Sequence, residues 1–190
     1  MREISFRWLL NQRSLNLRSI VTGSATFNTI HASELADPSE FTSPGALMLT
    51  LGLAFQEEAK GFERYGAALA AAGVQGIGFG TGLAFDEVPT ELIHACSQHN
   101  LTLFEIPRDT RFVSITTAVS QEQARLDNNA QFALHRQQER LNQAAATSIG
   151  ALTLQASKEL GAAVAVASST GVVVSRSDRG QLSAADAAVE

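Results

Sequence analysis

The chain has 190 residues, of which 45% are apolar and 17% are charged, and its formal net charge is −5. This composition is that of a folded globular protein and excludes a disordered chain. Residues 23–110 carry eleven acidic and three basic side chains. This region would repel nucleic acid, whose binding needs clustered lysine and arginine. The chain alone is therefore expected to be a poor DNA binder.

Cysteine content and hydropathy bear on the cellular compartment. Cys96 is the single cysteine, which excludes an internal disulfide and favours a reducing compartment. The N-terminus is charged, and no apolar run approaches the ~18 residues of a membrane span. We therefore expect a cytoplasmic protein with no membrane partner.

The first 110 residues show an alternation of strand and helix patterns. The predicted elements are a helix at 4–10, strands at 16–22, 27–32 and 46–51, a helix at 57–72, a strand at 74–80, a helix beginning near Pro89 and a strand at 101–107. The run 46–51 is continuously apolar between Pro44-Gly45 and Gly52, which is typical of a strand buried on both faces. The order predicts an α/β fold, with a small mostly parallel sheet, flanking helices and right-handed crossovers.

The period of the apolar residues changes near residue 111. No breaker appears before Gly150, so a single long helix is predicted over 111–147. Glu122, Asn129 and Arg136 interrupt its apolar stripe, which makes it a weak coiled coil at best.

A further helix at 148–160 and a hairpin within 164–174 follow. This helix–hairpin unit is incomplete, because an isolated hairpin is marginally stable. Residues 148–190 are therefore expected to be the truncated start of a second domain. The predicted domains are 1–110, 111–147 and 148–190.

A resemblance to a known family rests on four segments, which occur in this order: HASELADP, GALMLTLG, AAAGVQGIGFGTG and VPTELIHACSQHNLTLFEIPRDTRFVSITTAV. Over roughly residues 3–120 the chain resembles the N-terminal domain of PucR-type bacterial transcription regulators, the purine catabolism regulators and their relatives. The resemblance implies a sensory domain followed by a GAF-like middle domain, with a helix-turn-helix at the far C-terminus, outside these 190 residues. The family's glutamate before the central strand is Ala46 here, and its second threonine is Leu51. If that glutamate contacts an effector in relatives, this chain has lost the contact or binds something else.

Two carboxylates in the acidic turn, Glu34 and Asp37, are candidate contacts for a cationic or amine-bearing effector or for a nucleobase edge. The competing interpretations are structural. Asp37 precedes Pro38 and is suited to an Asx-type turn, and Glu34 could pair locally.

The carboxyl ends of the central strands supply the other candidates, because ligands of open α/β sheets settle there. Thr50 and Gly52 end one predicted strand, Gly80 ends the next, and Arg108 follows the last and could hold an anionic group. The competing interpretation is that the glycines permit tight turns and that the Arg108-Asp109 segment makes an ion pair across the loop into the long helix. The glycine spacing does not match a dinucleotide fingerprint.

The remaining chemistry-bearing residues predict neither catalysis nor a cofactor. His31 is interpreted as a structural histidine, His94 and His99 as helix-surface residues without a third metal ligand, and Cys96 as packed against the sheet. No P-loop, zinc motif or Ser-His-Asp order is present, so we expect no enzyme, no metal and no cofactor.

Three function classes stay open at this stage. The favoured one is the sensory and assembly region of a transcription regulator, which binds a small-molecule effector and forms a homodimer through about 111–147. It would reach DNA only through a domain outside the chain. The alternatives are an interaction module without a ligand and an unrecognised enzyme using Glu34, Asp37 or His31.

Overall fold

The computed structural model describes residues 2–56 and 61–177 of the chain. Its elements in chain order are β1 (Ile4–Ser5), α1 (Phe6–Leu10), β2 (Arg18–Val21), β3 (Thr26–Phe27), β4 (Thr29–Ala32), β5 (Ala46–Thr50), α2 (Gly61–Ala71), β6 (Gly76–Gly80), α3 (Thr90–Gln98), β7 (Thr102–Ile106), α4 (Phe112–Thr147), α5 (Ile149–Leu160), β8 (Val164–Ala167) and β9 (Val173–Ser177). The chain divides into two units, Met1–Leu126 and Asp127–Glu190.

The centre of the first unit is a five-stranded sheet with the strand order β2-β7-β6-β5-β4. Strands β4, β5, β6 and β7 are parallel to their neighbours, and β2 is antiparallel to β7 at one edge. Helices α2 and α3 connect the consecutive parallel strands. The predicted α/β fold with a small, mostly parallel sheet and flanking helices is confirmed.

Both faces of this sheet are covered, which explains the continuous apolar run in β5. Ala46 and Met48 point to the face covered by α2 and α3, where they meet Phe62, Leu69, Leu92 and Cys96 among others. Leu47 and Leu49 point to the opposite face, which is covered by α1 and the first turns of α4. All five residues of β5 are buried, as expected for a strand between two layers.

Several predicted elements differ from the structure in their bounds. The strands predicted at 16–22 and 74–80 span Arg18–Val21 and Gly76–Gly80. The predicted helix at 57–72 is described over Gly61–Ala71, and residues 57–60 lie outside the described part. The predicted helix at 4–10 begins only at Phe6. The predicted strand at 27–32 is two strands, because Phe27 pairs with Ile4 in a separate ribbon and packs its ring on Phe6, with the centroids 4.8 Å apart.

The long helix is confirmed as α4, which runs from Phe112 to Thr147. In the first unit, its residues Ile115 and Val119 are fully buried against the sheet, and Leu126 packs beside them. The helix therefore serves as a layer of the first unit before it continues.

The second unit contains the rest of α4, then α5 and the antiparallel hairpin β8–β9, which confirms the predicted helix–hairpin unit. Ser148 caps α5 by accepting a hydrogen bond from the Ala151 amide at 3.0 Å. Residues 178–190 of the predicted truncated domain lie outside the described part, and the division at 110 and 147 stays a prediction.

Among the described residues, no helix combines the length and the apolar character that crossing a membrane requires.

Candidate functional site

The carboxyl ends of three parallel strands, β5, β6 and β7, meet at one edge of the sheet, because each strand is in register with its neighbour. Two features lie there. One is a polar cluster around Glu34, which lies after β4, and the other is an open cleft between the ends of β5, β6 and β7 and the start of α4.

The Glu34 carboxylate ties the loop after β4 to the end of β5. Its oxygens accept hydrogen bonds from the Leu51 amide at 2.7 Å, the Leu53 amide at 3.1 Å and the Thr50 hydroxyl at 3.2 Å. The Thr50 hydroxyl in turn accepts a hydrogen bond from the Gly52 amide at 3.0 Å. The structure thus brings the predicted residues Glu34, Thr50 and Gly52 into one network.

Gly52 makes this network possible through its backbone. Its φ of +74° is a left-handed conformation that side chains rarely tolerate. A Cβ there would lie 2.9 Å from Phe79 and 3.1 Å from Phe62. The predicted sharp turn after β5 is therefore present, and the close approach is to the protein's own aromatic core.

Tyr65, on α2, is a buried neighbour of this network that was not predicted from the sequence as a polar contact. Its hydroxyl lies near Thr50 but makes no hydrogen bond of normal geometry with any described residue. Burial raises the pKa of Tyr65 well above its usual value. The nearby Thr50 hydroxyl lowers this pKa in part, and the negative charge of Glu34 raises it further. The side chain therefore stays neutral.

The cleft has a volume of about 230 Å³. Its lining comes from the last residues of β6 and β7, from the residues that follow β5, β6 and β7, and from the first residue of α4: Leu51, Gly80, Thr81, Leu83, Ile106, Pro107, Arg108, Thr110, Arg111 and Phe112. Of the predicted site residues, Gly80 and Arg108 line this cleft, and Leu51 joins it to the Glu34 network.

Arg108 and Arg111 are the charged residues of the cleft lining. The guanidinium of Arg108 donates a hydrogen bond to the Gly82 carbonyl. The alternative interpretation is an ion pair from the Arg108-Asp109 segment across the loop into the long helix. Among the described residues, neither Arg108 nor Asp109 forms an ion pair. Arg111 is exposed, and its guanidinium contacts no hydrogen-bonding or ion-pairing partner in the described part of the chain.

The hydroxyl groups of the cleft are already used within the protein. Thr81 donates to the Glu105 carboxylate at 2.8 Å, and Thr110 donates to the Leu15 carbonyl at 2.8 Å. Glu105 also forms an ion pair with Arg18 at 3.4 Å. The free hydrogen-bond donors of the lining side chains are therefore on the two guanidinium groups.

Gly80 belongs to a row of three glycines on one face of β6. A Cβ on Gly76 would lie 2.5 Å from the Phe6 ring, on Gly78 2.7 Å from the Leu49 side chain and on Gly80 2.6 Å from the Leu51 side chain. For Gly80, the competing interpretation from the sequence is a tight turn after the strand. The structure supplies another one, since large side chains occupy the space that a Cβ would fill.

The other predicted residues lie away from the cleft lining. The exposed Asp37 carboxylate accepts a hydrogen bond from the Ser39 amide at 3.1 Å, as an Asx-type turn requires. The Ser39 side chain and this amide together lower the pKa of Asp37. His94 and His99 are exposed on or beside α3. Cys96 is buried, and burial raises the pKa of its thiol to about 12, so it is an unreactive core residue.

His31 lies in β4 and is half-buried as a whole. Its buried Nε2 atom has no hydrogen-bond partner in the part of the chain that the structure describes. Within the described residues, no group of three metal-ligating side chains is placed to hold an ion.

A larger cleft, of about 570 Å³, lies at the opposite end of the sheet, between α1 and the residues around Thr102. Arg7 is the charged residue of its lining. The Thr102 hydroxyl there donates a hydrogen bond to the Ser24 carbonyl and accepts one from the Gly23 amide. We give more weight to the smaller cleft, because it lies at the carboxyl ends of the parallel strands and holds two cationic groups.

Sequence reasoning missed Leu83, Arg111 and Phe112 as members of the cleft. A usable signal existed for Arg111, which directly follows Arg108-Asp109-Thr110 and precedes the long helix. Arg111 was assigned to the helix start, and its proximity to Gly80 depends on the strand order, which the sequence alone does not reveal.

Comparisons with known proteins bear on the first unit. A crystal structure of the CBS and DRTGG domains of the regulatory region of Clostridium perfringens pyrophosphatase, complexed with the activator diadenosine tetraphosphate, matches with 14% identity and a TM-score of 0.41. The match covers 60% of this chain and 45% of that one, so it spans less than half of the solved structure. No curated protein matches the chain.

The sequence model of the PucR family, described as the purine catabolism regulatory protein-like family, matches residues 8–122. These residues are more than half of the chain and include β2, the central strands, and the part of α4 that covers the sheet. The resemblance found in the sequence is confirmed, and the family is a regulatory one. The chain belongs to the purine catabolism regulatory protein-like family.

Proposed function

We propose that this chain is the sensory and assembly region of a bacterial transcription regulator and binds a small metabolite effector. The observation that supports the proposal best is the open cleft beside Gly80 and Arg108, at the edge where open α/β sheets hold their ligands. Because the chain belongs to a regulatory family, a ligand bound at this edge would act as an effector. A packed edge without space would have favoured an interaction module instead.

The predicted site residues take two roles in this proposal. Gly80 and Arg108 border the effector, while Glu34, Thr50 and Gly52 fix the loop that positions Leu51 beside it. Asp37 stays a predicted ligand contact that this arrangement does not use.

Action on DNA is assigned to a helix-turn-helix domain outside these 190 residues, in the cytoplasm. The acidic character of residues 23–110 supports this division, because an acidic surface repels the phosphate backbone. Helix α4 is proposed to transmit the state of the effector site along the chain.

A homodimer through about residues 111–147 is the second part of the proposal. The first part of α4 is used inside its own unit, but Phe132 and Leu134 further along are 64% and 57% exposed. Light scattering at high and low protein concentration tests the dimer. We expect Phe132→Ser to weaken it and Leu35→Ser, a change at an exposed leucine elsewhere, to leave it intact. A monomer at every concentration would rule the dimer out.

Catalysis is not part of the proposed function. The Glu34 carboxylate, the candidate base of an enzyme, already accepts three hydrogen bonds from the protein. A group so engaged is poorly available for proton transfer. Turnover of a supplied metabolite, lost on Glu34→Gln, would favour the enzyme alternative.

A thermal-shift screen of the full chain against purines, ureides, amino acids and sugar acids tests effector binding. A ligand at a hundredfold excess over its dissociation constant stabilises the folded state by about 2.7 kcal/mol, which gives a visible shift. Leu83→Trp, at a 66% exposed residue of the cleft, should abolish the shift by filling the space. The matched variant Leu35→Trp, at a 52% exposed residue outside the cleft, should retain it. No shift with any ligand would favour an interaction module.

A further inference from the structure

We infer that the effector is a small organic anion, whose carboxylate or phosphate group binds to Arg108 and Arg111 and whose apolar or planar part packs on Leu51, Leu83 and Phe112. This inference rests on the proposed function and assigns a chemical class to the same cleft.

Charge is the first argument. Arg108 and Arg111 line the cleft, and no acidic side chain does so among the described residues. Arg108 is one of only three basic side chains in residues 23–110, which have eleven acidic ones, and Arg111 directly follows this region. Two cations without an acidic neighbour in the lining favour an anionic ligand, and guanidinium groups match the geometry of carboxylate and phosphate oxygens.

The availability of the two guanidinium groups is the second argument. Arg111 makes no hydrogen bond or ion pair through its side chain in the described part of the chain. Arg108 donates to the Gly82 carbonyl, and its aliphatic stem lies against Gly82, so the head group is oriented but retains free donors. The threonine hydroxyls of the cleft are committed to Glu105 and Leu15, so they do not compete for the ligand.

Size and lining limit the rest of the ligand. A volume of about 230 Å³ corresponds to roughly eight water molecules at about 30 Å³ each. That is room for a single ring or a short chain and too little for a dinucleotide. Leu51, Leu83, Ile106, Pro107 and Phe112 supply an apolar wall, which favours a flat or apolar body over a polyhydroxylated one.

The test compares a carboxylate with its neutral isostere on the full 190-residue chain. Benzoate, benzamide and inorganic phosphate are titrated separately, and binding is followed by the amide NMR signals of Gly80 and Thr81. We expect benzoate and phosphate to shift these signals and benzamide to bind roughly tenfold more weakly or worse, since it lacks the charge-assisted hydrogen bonds.

Two matched arginine variants locate the site. Arg111→Gln should weaken benzoate binding roughly tenfold and leave the unfolding temperature of the free protein unchanged, because this side chain has no partner in the described structure to lose. Arg7→Gln, in the larger cleft at the other end of the sheet, should have no effect on benzoate. Loss of binding on Arg7→Gln with retention on Arg111→Gln would overturn the inference.

The failure of this inference can be told apart from the failure of the proposed function. If benzamide or a neutral compound from the thermal-shift panel shifts Gly80 and Thr81 equally in the native protein and in Arg111→Gln, the anionic class is wrong and the sensory role stands. If neither the three probes nor any panel compound shifts these signals, both are wrong.

Discussion

Glu34 shows how one side chain can fix the edge of a sheet. Its carboxylate accepts hydrogen bonds from two backbone amides and one hydroxyl at the end of β5, and charge-assisted bonds of this kind are stronger than neutral ones. Glu34→Gln places an amide N–H₂ against one of these donors. We expect a loss of about 2 kcal/mol in the free energy of unfolding, measured by chemical denaturation.

Glu40→Gln is the matched control for this substitution, because Glu40 lies in the same loop region and is exposed. Its effect should stay within about 0.5 kcal/mol, the usual range for surface changes. Equal losses in the two variants would mean that Glu34 contributes nothing beyond a general surface charge.

At the scale of single residues, the sequence predicted that Glu34, Thr50 and Gly52 matter but not why. An acidic turn before a buried strand is a local pattern, and it can be read directly from the chain. The partners of Glu34 lie 16, 17 and 19 residues away. Their identity depends on the parallel pairing of β4 with β5, which brings the loop after β4 to the end of β5.

Strand β6 illustrates a constraint that belongs to a whole element. Its alternating glycines allow large side chains of the same face to lie directly over the sheet. A Cβ at Gly78 would lie 2.7 Å from Leu49 and 2.8 Å from Phe104, inside a packed core. We expect Gly78→Ala to lower the free energy of unfolding by about 1–3 kcal/mol through overpacking, as measured by denaturant titration.

A second substitution tests whether crowding is the cause. Phe104→Leu removes part of the ring that the added Cβ would meet, so the double variant should be less destabilised than the sum of the single variants. Additive losses would contradict the packing explanation.

Helix α4 carries a charged residue in its buried stripe, and this residue makes the stability of the protein depend on pH. Glu122 is 8% exposed, and both of its carboxylate oxygens accept hydrogen bonds from Arg125 at 2.7 Å. These bonds lower the pKa of Glu122, against the opposing effect of burial. The stabilisation is therefore complete above the unfolded-state pKa of about 4.3 and is lost as the pH falls toward the lower folded-state value.

We expect the stability difference between the native protein and Glu122→Gln to be constant above about pH 5 and to shrink below it. Urea titrations at a series of pH values measure this difference. In an Arg125→Gln background the same comparison should show a weaker pH dependence, because the main cause of the lowered pKa is gone. An unchanged dependence in that background would contradict the assignment.

The elements themselves were largely predictable, because apolar periodicity and breakers are local. The buried strand β5, the long helix α4 and the hairpin β8–β9 match their predictions. The antiparallel placement of β2 beside β7 did not follow from the pattern, since the two strands are more than 80 residues apart. The ion pair of the buried Glu122 with Arg125 was not predicted either, because the sequence pattern shows Glu122 only as an interruption of the apolar stripe.

In the described part of the whole molecule, the apolar core lies in the first of the two units. All buried apolar residues of the described chain lie between Ile4 and Val119, while the buried residues of the second unit are Thr153, Ser157 and Ser177. Burial of apolar side chains is the main favourable contribution to folding. The stability of the first unit should therefore depend on the start of α4 and not on the elements after it.

Two shortened chains test this expectation. A chain ending at Thr147 keeps every buried apolar residue that the structure describes, so its free energy of unfolding should match that of the full chain within about 0.5 kcal/mol. A chain ending at Thr110, the predicted domain boundary, loses the fully buried Ile115 and Val119 and should be destabilised by at least about 3 kcal/mol. Denaturant titration followed by the fluorescence of Trp8, in α1, measures both. If the chain ending at Thr110 were as stable as the full chain, the domain boundary would lie at Thr110 and the start of α4 would be only a connector. If the chain ending at Thr147 were much less stable than the full chain, the first unit would depend on the second for its stability.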